Sequence, residues 1–169
     1  MNQVTVTAGV SPQGRHDRLL QEWQHDTYKS KHKLKEPTVC PGCGAIYRDG
    51  RWQWGAAPDD AHPESCPACQ RIQDRVPAGF LTLGGGFLHA HRDEILNTIR
   101  NLEAAEKERH PLKRIIAMES VADGMLITFT DPHLARGAGE ALQHAYKGEL
   151  DYAYQAEERI LRVSWRRNS

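Results

Sequence analysis

Two Cys-x-x-Cys pairs contain all four cysteines of this chain of 169 residues. Two residues between cysteines allow a tight turn to direct both sulfur atoms at one ion, and tetrahedral zinc needs two such turns facing each other. Because four thiolates leave no open coordination position, the spacing predicts one structural Zn²⁺ rather than a catalytic one. The predicted ligands are Cys40, Cys43, Cys66 and Cys69.

The residues around the two pairs differ. Pro41 fixes φ inside the first pair and Gly44 tolerates positive φ directly after it, as a metal-binding knuckle requires. The second pair is followed by Gln70 and is the less typical knuckle. Two disulfides are the alternative, but they need an oxidising compartment. A redox Cys-x-x-Cys is another, but it would leave one pair unexplained.

Composition and the amino-terminal sequence bear on the class of protein. Lysine plus arginine balance aspartate plus glutamate, so no overall charge attracts the chain to nucleic acid. Residues 1–14 lack the charged region and the apolar core of a signal peptide. No stretch approaches the length of apolar sequence that spans a bilayer. We therefore expect a cytoplasmic protein of one or two small domains, without a membrane partner.

Residues 1–36 are predicted to precede the folded part of the chain. Residues 1–14 have the composition of a disordered tail, and residues 15–25 can form a short helix with one apolar face. The following segment has lysine at alternate positions and no apolar period, which favours an extended basic arm or an ordinary linker. An arm of this kind binds phosphate backbones. Its lysines are Lys29, Lys31, Lys33 and Lys35.

Residues 37–79 are predicted to form a small zinc ribbon. Asp49-Gly50 lies between two short aromatic runs, which is a strong signal for a β-hairpin leaving the first knuckle. A module of this size needs the metal for its stability. The hairpin presents Arg48, Arg51 and Trp52, and basic residues interleaved with aromatic rings suit RNA binding. Alternatively, the tryptophans belong to the core of the ribbon.

A glycine-rich stretch at residues 80–88 separates the ribbon from the rest of the chain. Gly84, Gly85 and Gly86 could wrap an anion ahead of a helix, but no Lys-Ser or Lys-Thr follows as in a P-loop. A flexible hinge is the preferred interpretation of this stretch.

Residues 89–169 are predicted to be an α+β module of order α-β-β-α-β-β. A helix over 90–109 has one apolar face, and Leu112–Met118 and Met125–Thr130 are the first strands. Asp131 caps a second helix, which ends at Lys147-Gly148. Alternation in the last strands predicts one sheet face under the helices and one open face.

The sequence offers no catalytic motif. It contains no nucleophile elbow, Walker loop, His-Glu-x-x-His or paired acidic motif. His89, His91 and His133 are expected to be exposed rather than metal-bound, because four thiolates already complete a zinc site. We therefore expect neither an enzyme nor a small-molecule substrate.

Three segments resemble part of the export adaptor of the large ribosomal subunit in archaea and eukaryotes, which was first named after nonsense-mediated mRNA decay. They are 131–136 (DPHLAR), 139–142 (GEAL) and 146–150 (YKGEL). The chain is more similar to short bacterial stand-alone relatives of that region, with 40–44 (CPGCG) and 50–52 (GRW) in the same order. It differs from the adaptor in having one clear four-cysteine site rather than several, and we expect it to lack the adaptor's later domains and export signals and therefore any role in nuclear export.

The resemblance, over roughly residues 27–166, implies binding to ribosomal RNA, with the large subunit favoured. The expected role is then assembly, quality control or protection of idle subunits. The arm and the hairpin would bind the RNA, and Arg136 and Lys147 are the expected contacts on the second helix. The alternative function is a zinc-ribbon adaptor that binds another protein, in transcription or regulated proteolysis.

Overall fold

The computed structural model describes Tyr28 and residues 33–169. The predicted tail, the predicted helix at 15–25, and Lys29 and Lys31 of the arm lie outside the described residues. The described chain forms a small four-cysteine module, which comprises residues 37–75, followed by an α+β module.

The four-cysteine module is built on a sheet of very short strands. Their order across the sheet is β3-β2-β1-β4, with β4 parallel to β1 and the other pairs antiparallel. The Asp49-Gly50 turn joins β2 and β3, and both residues have positive φ, as a tight two-residue hairpin requires. The predicted hairpin is therefore confirmed. The elements are β1 (Thr38–Val39), β2 (Ile46–Arg48), β3 (Arg51–Gln53), β4 (His62–Pro63) and helix α1 (Pro67–Asp74).

The α+β module contains two helices and five strands. In chain order they are β5 (Gly79–Gly84), α2 (Gly86–Arg109), β6 (Ile115–Val121), β7 (Gly124–Phe129), α3 (Pro132–Tyr146), β8 (Glu149–Gln155) and β9 (Ile160–Arg166). The observed order is β-α-β-β-α-β-β, so the predicted order lacked the first strand. Asp131 caps α3 by accepting a hydrogen bond from the Leu134 N–H, as the sequence predicted.

The five strands form one mixed sheet of order β6-β7-β5-β9-β8. Strands β5 and β9 are parallel neighbours, and the other pairs are antiparallel. Helices α2 and α3 cover one face, where alternate residues of the strands are buried, for example Leu161, Val163 and Trp165 of β9. Residues of β9 between them are exposed on the other face. The predicted division into a buried and an open face is thus observed.

The glycine-rich stretch is not a hinge. Residues 79–84 are the central strand of the sheet, and α2 begins at Gly86. Gly85 has a φ of +94°, and a Cβ there would lie 2.0 Å from the carbonyl oxygen of Arg167. That oxygen accepts a hydrogen bond from the Phe87 N–H, so the carboxy-terminal segment caps the start of α2. The glycines allow this close crossing of two chain segments.

Among the helices of the described residues, none combines the length and the apolar character needed to cross a membrane.

Candidate metal centre

The four cysteines converge on one point. Their sulfur atoms all lie within 4.8 Å of one another, and the sulfur atoms of Cys43 and Cys66 are 3.8 Å apart. A tetrahedron with Zn–S bonds of about 2.3 Å has sulfur–sulfur separations of about 3.8 Å. All four cysteines are free, so no disulfide competes for them. The donor set and its spacing fit one tetrahedral metal ion, plausibly zinc.

The first pair lies in a tight turn ahead of β2. The Gly44 N–H donates to the carbonyl oxygen of Cys40, and the Cys40 N–H donates to that of Ala45. Gly44 has a φ of +79°, which a residue with a side chain adopts only with strain. The knuckle predicted from Pro41 and Gly44 is therefore present.

The second pair is held by a helix rather than by a second knuckle. Cys66 is the N-cap of α1, and its sulfur accepts a hydrogen bond from the Cys69 N–H at 3.3 Å. Pro67 occupies the first helical position, where its missing N–H costs nothing. The positive end of a helix dipole favours thiolates at this place. The predicted pairing of two facing knuckles is wrong on this point, which explains why no glycine follows Cys69.

Backbone N–H groups favour a thiolate at Cys40. Burial raises the pKa of this thiol, but hydrogen bonds from backbone N–H groups, that of Cys66 first, outweigh burial and lower the pKa to about 7. The Cys66 N–H lies 3.2 Å from the Cys40 sulfur. Burial raises the pKa of both Cys43 and Cys66. A site that concentrates four sulfurs therefore needs positive charge to hold them as thiolates, which a metal ion supplies.

Arg114 brings a positive charge to the sulfur cluster from the other module. Its Nη2 lies 3.2 Å from the Cys66 sulfur and 3.1 Å from the Cys69 sulfur. The residue directly precedes β6 and is only 7% exposed. Burial would lower the pKa of its guanidinium, but the hydrogen bond to Cys69 and the charge of the thiolates raise it. Sequence reasoning did not identify this residue.

The described part of the basic arm ends beside the hairpin turn. Lys33 and Lys35 are exposed, and Glu36 accepts a hydrogen bond from the Gly50 N–H at 2.9 Å. Strand β1 then pairs with β2, with Thr38 opposite Tyr47. The end of the arm is thereby fixed next to the turn that carries Asp49 and Gly50.

The predicted hairpin residues differ in how accessible they are. Arg48 and Arg51 face each other across the hairpin and are both exposed. Trp52 packs against the cysteine cluster and contacts the Tyr47 ring edge-on, with ring centroids 5.5 Å apart. Its ring therefore belongs in part to the core of the module. Trp54 is the more exposed tryptophan, and its Nε1 donates to the carbonyl oxygen of Lys107.

The two predicted contacts on the second helix lie apart from one another. Arg136 pairs with Glu140, with Nε and Oε1 2.9 Å apart, so its charge is largely balanced within α3. Lys147 is the C-cap of the same helix, with a φ of 61°. Eleven residues of helix separate the two by about 16 Å at 1.5 Å per residue.

Comparison with known protein-family models, with curated proteins and with solved structures finds no significant match.

Proposed function

We propose that the protein binds one structural zinc ion and uses the zinc-supported module to bind RNA, namely ribosomal RNA in the cytoplasm. One observation carries the proposal. The end of the basic arm is joined to the hairpin turn through Glu36 and Gly50, which brings four exposed cationic residues to one end of the module. We call these the turn surface: Lys33, Lys35, Arg48 and Arg51.

The four cations of the turn surface outnumber the two exposed carboxylates beside them, Glu36 and Asp49, and this excess of positive charge favours a polyanion. None of the four side chains of the turn surface has a salt bridge in the part of the chain that the structure describes. Arg48 and Arg51 are cross-strand neighbours, and like charges in that position destabilise a hairpin unless an anion lies between them. Phosphates on a nucleic-acid backbone satisfy this requirement, and release of their counterions makes such binding depend steeply on salt.

Trp54 supplies a flat, partly exposed ring near the same module. Its indole N–H is bound by the carbonyl oxygen of Lys107 near the end of α2, which fixes the ring. A fixed ring with an exposed part suits stacking on an unpaired base, worth about 1–3 kcal/mol per base. Trp52, which we expected to contact RNA, supports the hairpin from inside and would contribute only the part of its ring that remains accessible.

The ribosome enters the proposal through the resemblance to relatives of the large-subunit export adaptor. That resemblance supports a large-subunit partner and a role in assembly, quality control or protection of idle subunits. Within the described residues the candidate metal cluster is formed by four cysteines, and a zinc ion held by four thiolates has no position for substrate. We therefore propose a binding function rather than an enzymatic one.

The test is co-sedimentation of the zinc-loaded chain with ribosomal subunits through a series of salt concentrations. A double variant with Ala at Lys33 and Lys35 should bind more weakly than the parent. The slope of the logarithm of its binding constant against the logarithm of the salt concentration should be smaller in magnitude by about 2. The matched control replaces Arg92 and Arg100 by Ala, which removes the same charge from the exposed side of α2. Arg51→Ala should likewise weaken binding.

The result that contradicts RNA binding is equal retention of the parent protein, the lysine variant and the control at physiological salt. Retention that does not depend on salt would instead point to the alternative function, in which the module is an adaptor for another protein. Binding to purified rRNA free of ribosomal proteins separates these two outcomes, because only an RNA contact is available there.

A further inference from the structure

Arg114 occupies an unusual position for an arginine. It is 7% exposed, and its Nη2 donates to the sulfurs of two predicted zinc ligands, Cys66 and Cys69. Its Nε is buried and has no hydrogen-bond partner within the described residues. Burying a guanidinium is costly unless an anion accompanies it. The sulfurs of Cys66 and Cys69 are the acceptors that it contacts, and they carry negative charge when they bind a metal ion.

The backbone of Arg114 is fixed to the large sheet. Its N–H donates to Oγ1 of Thr130 at 2.9 Å, and its carbonyl oxygen accepts from the Thr130 N–H at 2.9 Å. Oγ1 of Thr130 also donates to the carbonyl oxygen of Leu112, whose side chain packs against the cysteine cluster. The guanidinium is therefore held against the sulfurs by the start of β6 and the residue after β7.

The charge balance of a four-thiolate zinc site explains why the Arg114 guanidinium lies against the sulfurs. Four thiolates carry more negative charge than one Zn²⁺ neutralises, and outer-shell donors commonly hold such ligands in place. Both contacts come from one nitrogen, Nη2, and the rigid planar guanidinium fixes the position of that nitrogen better than the flexible stem of a Lys fixes its ammonium. Without the metal, the sulfurs are no longer held together in front of the guanidinium, and the buried cation loses its fixed partners.

We infer that Arg114 couples metal binding in the four-cysteine module to the stability of the α+β module. Metal binding places negative charge against a cation that the sheet holds, so zinc stabilises both modules. Loss of the metal leaves the large core in place but destabilises the edge of the sheet around β6 and β7. This inference rests on the zinc site of the proposed function and is independent of RNA binding.

The test compares thermal unfolding of the full chain with and without zinc, for the parent and for Arg114→Met. All proteins compared carry Phe at positions 23, 52 and 54, so that the fluorescence of Trp165, which is buried in the core of the α+β module, reports this module alone. Zinc removal should lower the melting temperature of the parent by roughly 5–15 °C. In Arg114→Met, zinc removal should lower the melting temperature by less than half of the decrease in the parent, since no cation is left unpaired. Lys113→Met is the control, because Lys113 pairs with Glu106 and not with sulfur.

A second measurement covers the case in which Arg114→Met does not fold. Arg114→Lys keeps the charge and loses the rigid planar donor group, and it should release zinc to a chelator at least about tenfold faster than the parent. Equal zinc-dependent shifts in the parent and the Met variant, or an unchanged release rate in the Lys variant, would overturn the coupling. A parent protein that binds no zinc at all would instead refute the metal site itself.

Discussion

Zinc removal should unfold the four-cysteine module, and the size of its core explains why. Its buried apolar cluster consists of Cys40, Ala45, Cys66 and Ala68, of which two are metal ligands. Two alanines, the buried side chain of Ile46 and the partly buried ring of Trp52 cannot offset the conformational entropy of ordering such a module, at about 1–2 kcal/mol per residue. An apparent zinc-binding free energy of about 10–16 kcal/mol can.

The assay is a chelator titration followed by tryptophan fluorescence and by metal analysis. Trp52 contacts the cysteine cluster and the Tyr47 ring, so unfolding of the module should expose it and shift its emission to the red. Trp165 is fully buried in the other module and should keep its blue emission as long as that module stays folded. Replacing Trp23, Trp52 and Trp54 by Phe separates the two signals, because Trp165 is then the one tryptophan left in the sequence.

Cys40→Ser should reproduce the zinc-free state without a chelator, because the remaining three thiolates do not complete the tetrahedron. Metal analysis should give one zinc per chain for the parent. If Trp52 emission stays unchanged after all zinc has been removed, or if the parent protein holds no zinc, the reasoning from the small core is wrong. Recovery of the signal on adding zinc back excludes irreversible damage by the chelator.

Three predictions concern glycines, each checked by denaturant unfolding. Gly85→Ala should destabilise the α+β module by about 2 kcal/mol or more, because residue 85 has positive φ and the new Cβ would lie 2.0 Å from the Arg167 carbonyl oxygen. Unchanged stability would instead support the interpretation of this stretch as a flexible hinge. Gly139→Ala should cost about 1–3 kcal/mol, because its Cβ would lie 2.6 Å from Cγ1 of Val163. Gly137→Ala on the same helix places its Cβ no closer than 3.8 Å to Leu102 and should stabilise the α+β module by about 0.5–1 kcal/mol. Equal stability changes in Gly137→Ala and Gly139→Ala would refute the packing argument.

Local signals in the sequence predicted those parts of the fold that local physics determines. Asp131 followed by proline identified the start of α3, since a side-chain acceptor and a missing N–H both suit a helix start. Asp49-Gly50 identified the hairpin for a similar reason, because its tight turn needs two residues of positive φ. The alternating apolar residues of β9 identified the buried face of the sheet.

Long-range packing decided the parts that the sequence did not predict. Gly84 ends strand β5, and two further glycines follow it directly. Three successive glycines suggest a hinge from the sequence alone, but the structure shows that they allow Arg167 to cross close to Gly85. Helix α1 had a readable signal in Cys66-Pro67, an N-cap followed by proline, but the Cys-x-x-Cys spacing alone favoured a second knuckle. Arg114 is 45 positions from Cys69, so its contact with the sulfurs depends on how the modules dock.

The docking gives the metal a wider influence than the size of its module implies. The knuckle residue Cys40 follows β1, which pairs with β2 and so holds the end of the arm beside the hairpin. Loss of zinc should therefore separate the four cations of the turn surface from one another. Through Arg114 it should also destabilise the large sheet. The zinc-free parent protein is then expected to lose RNA binding and stability together. The zinc-loaded Arg114→Met variant should keep RNA binding and lose only the part of the stability that depends on zinc. Salt-dependent binding of the zinc-loaded Met variant, measured beside its unfolding curve, separates these two consequences of one metal site.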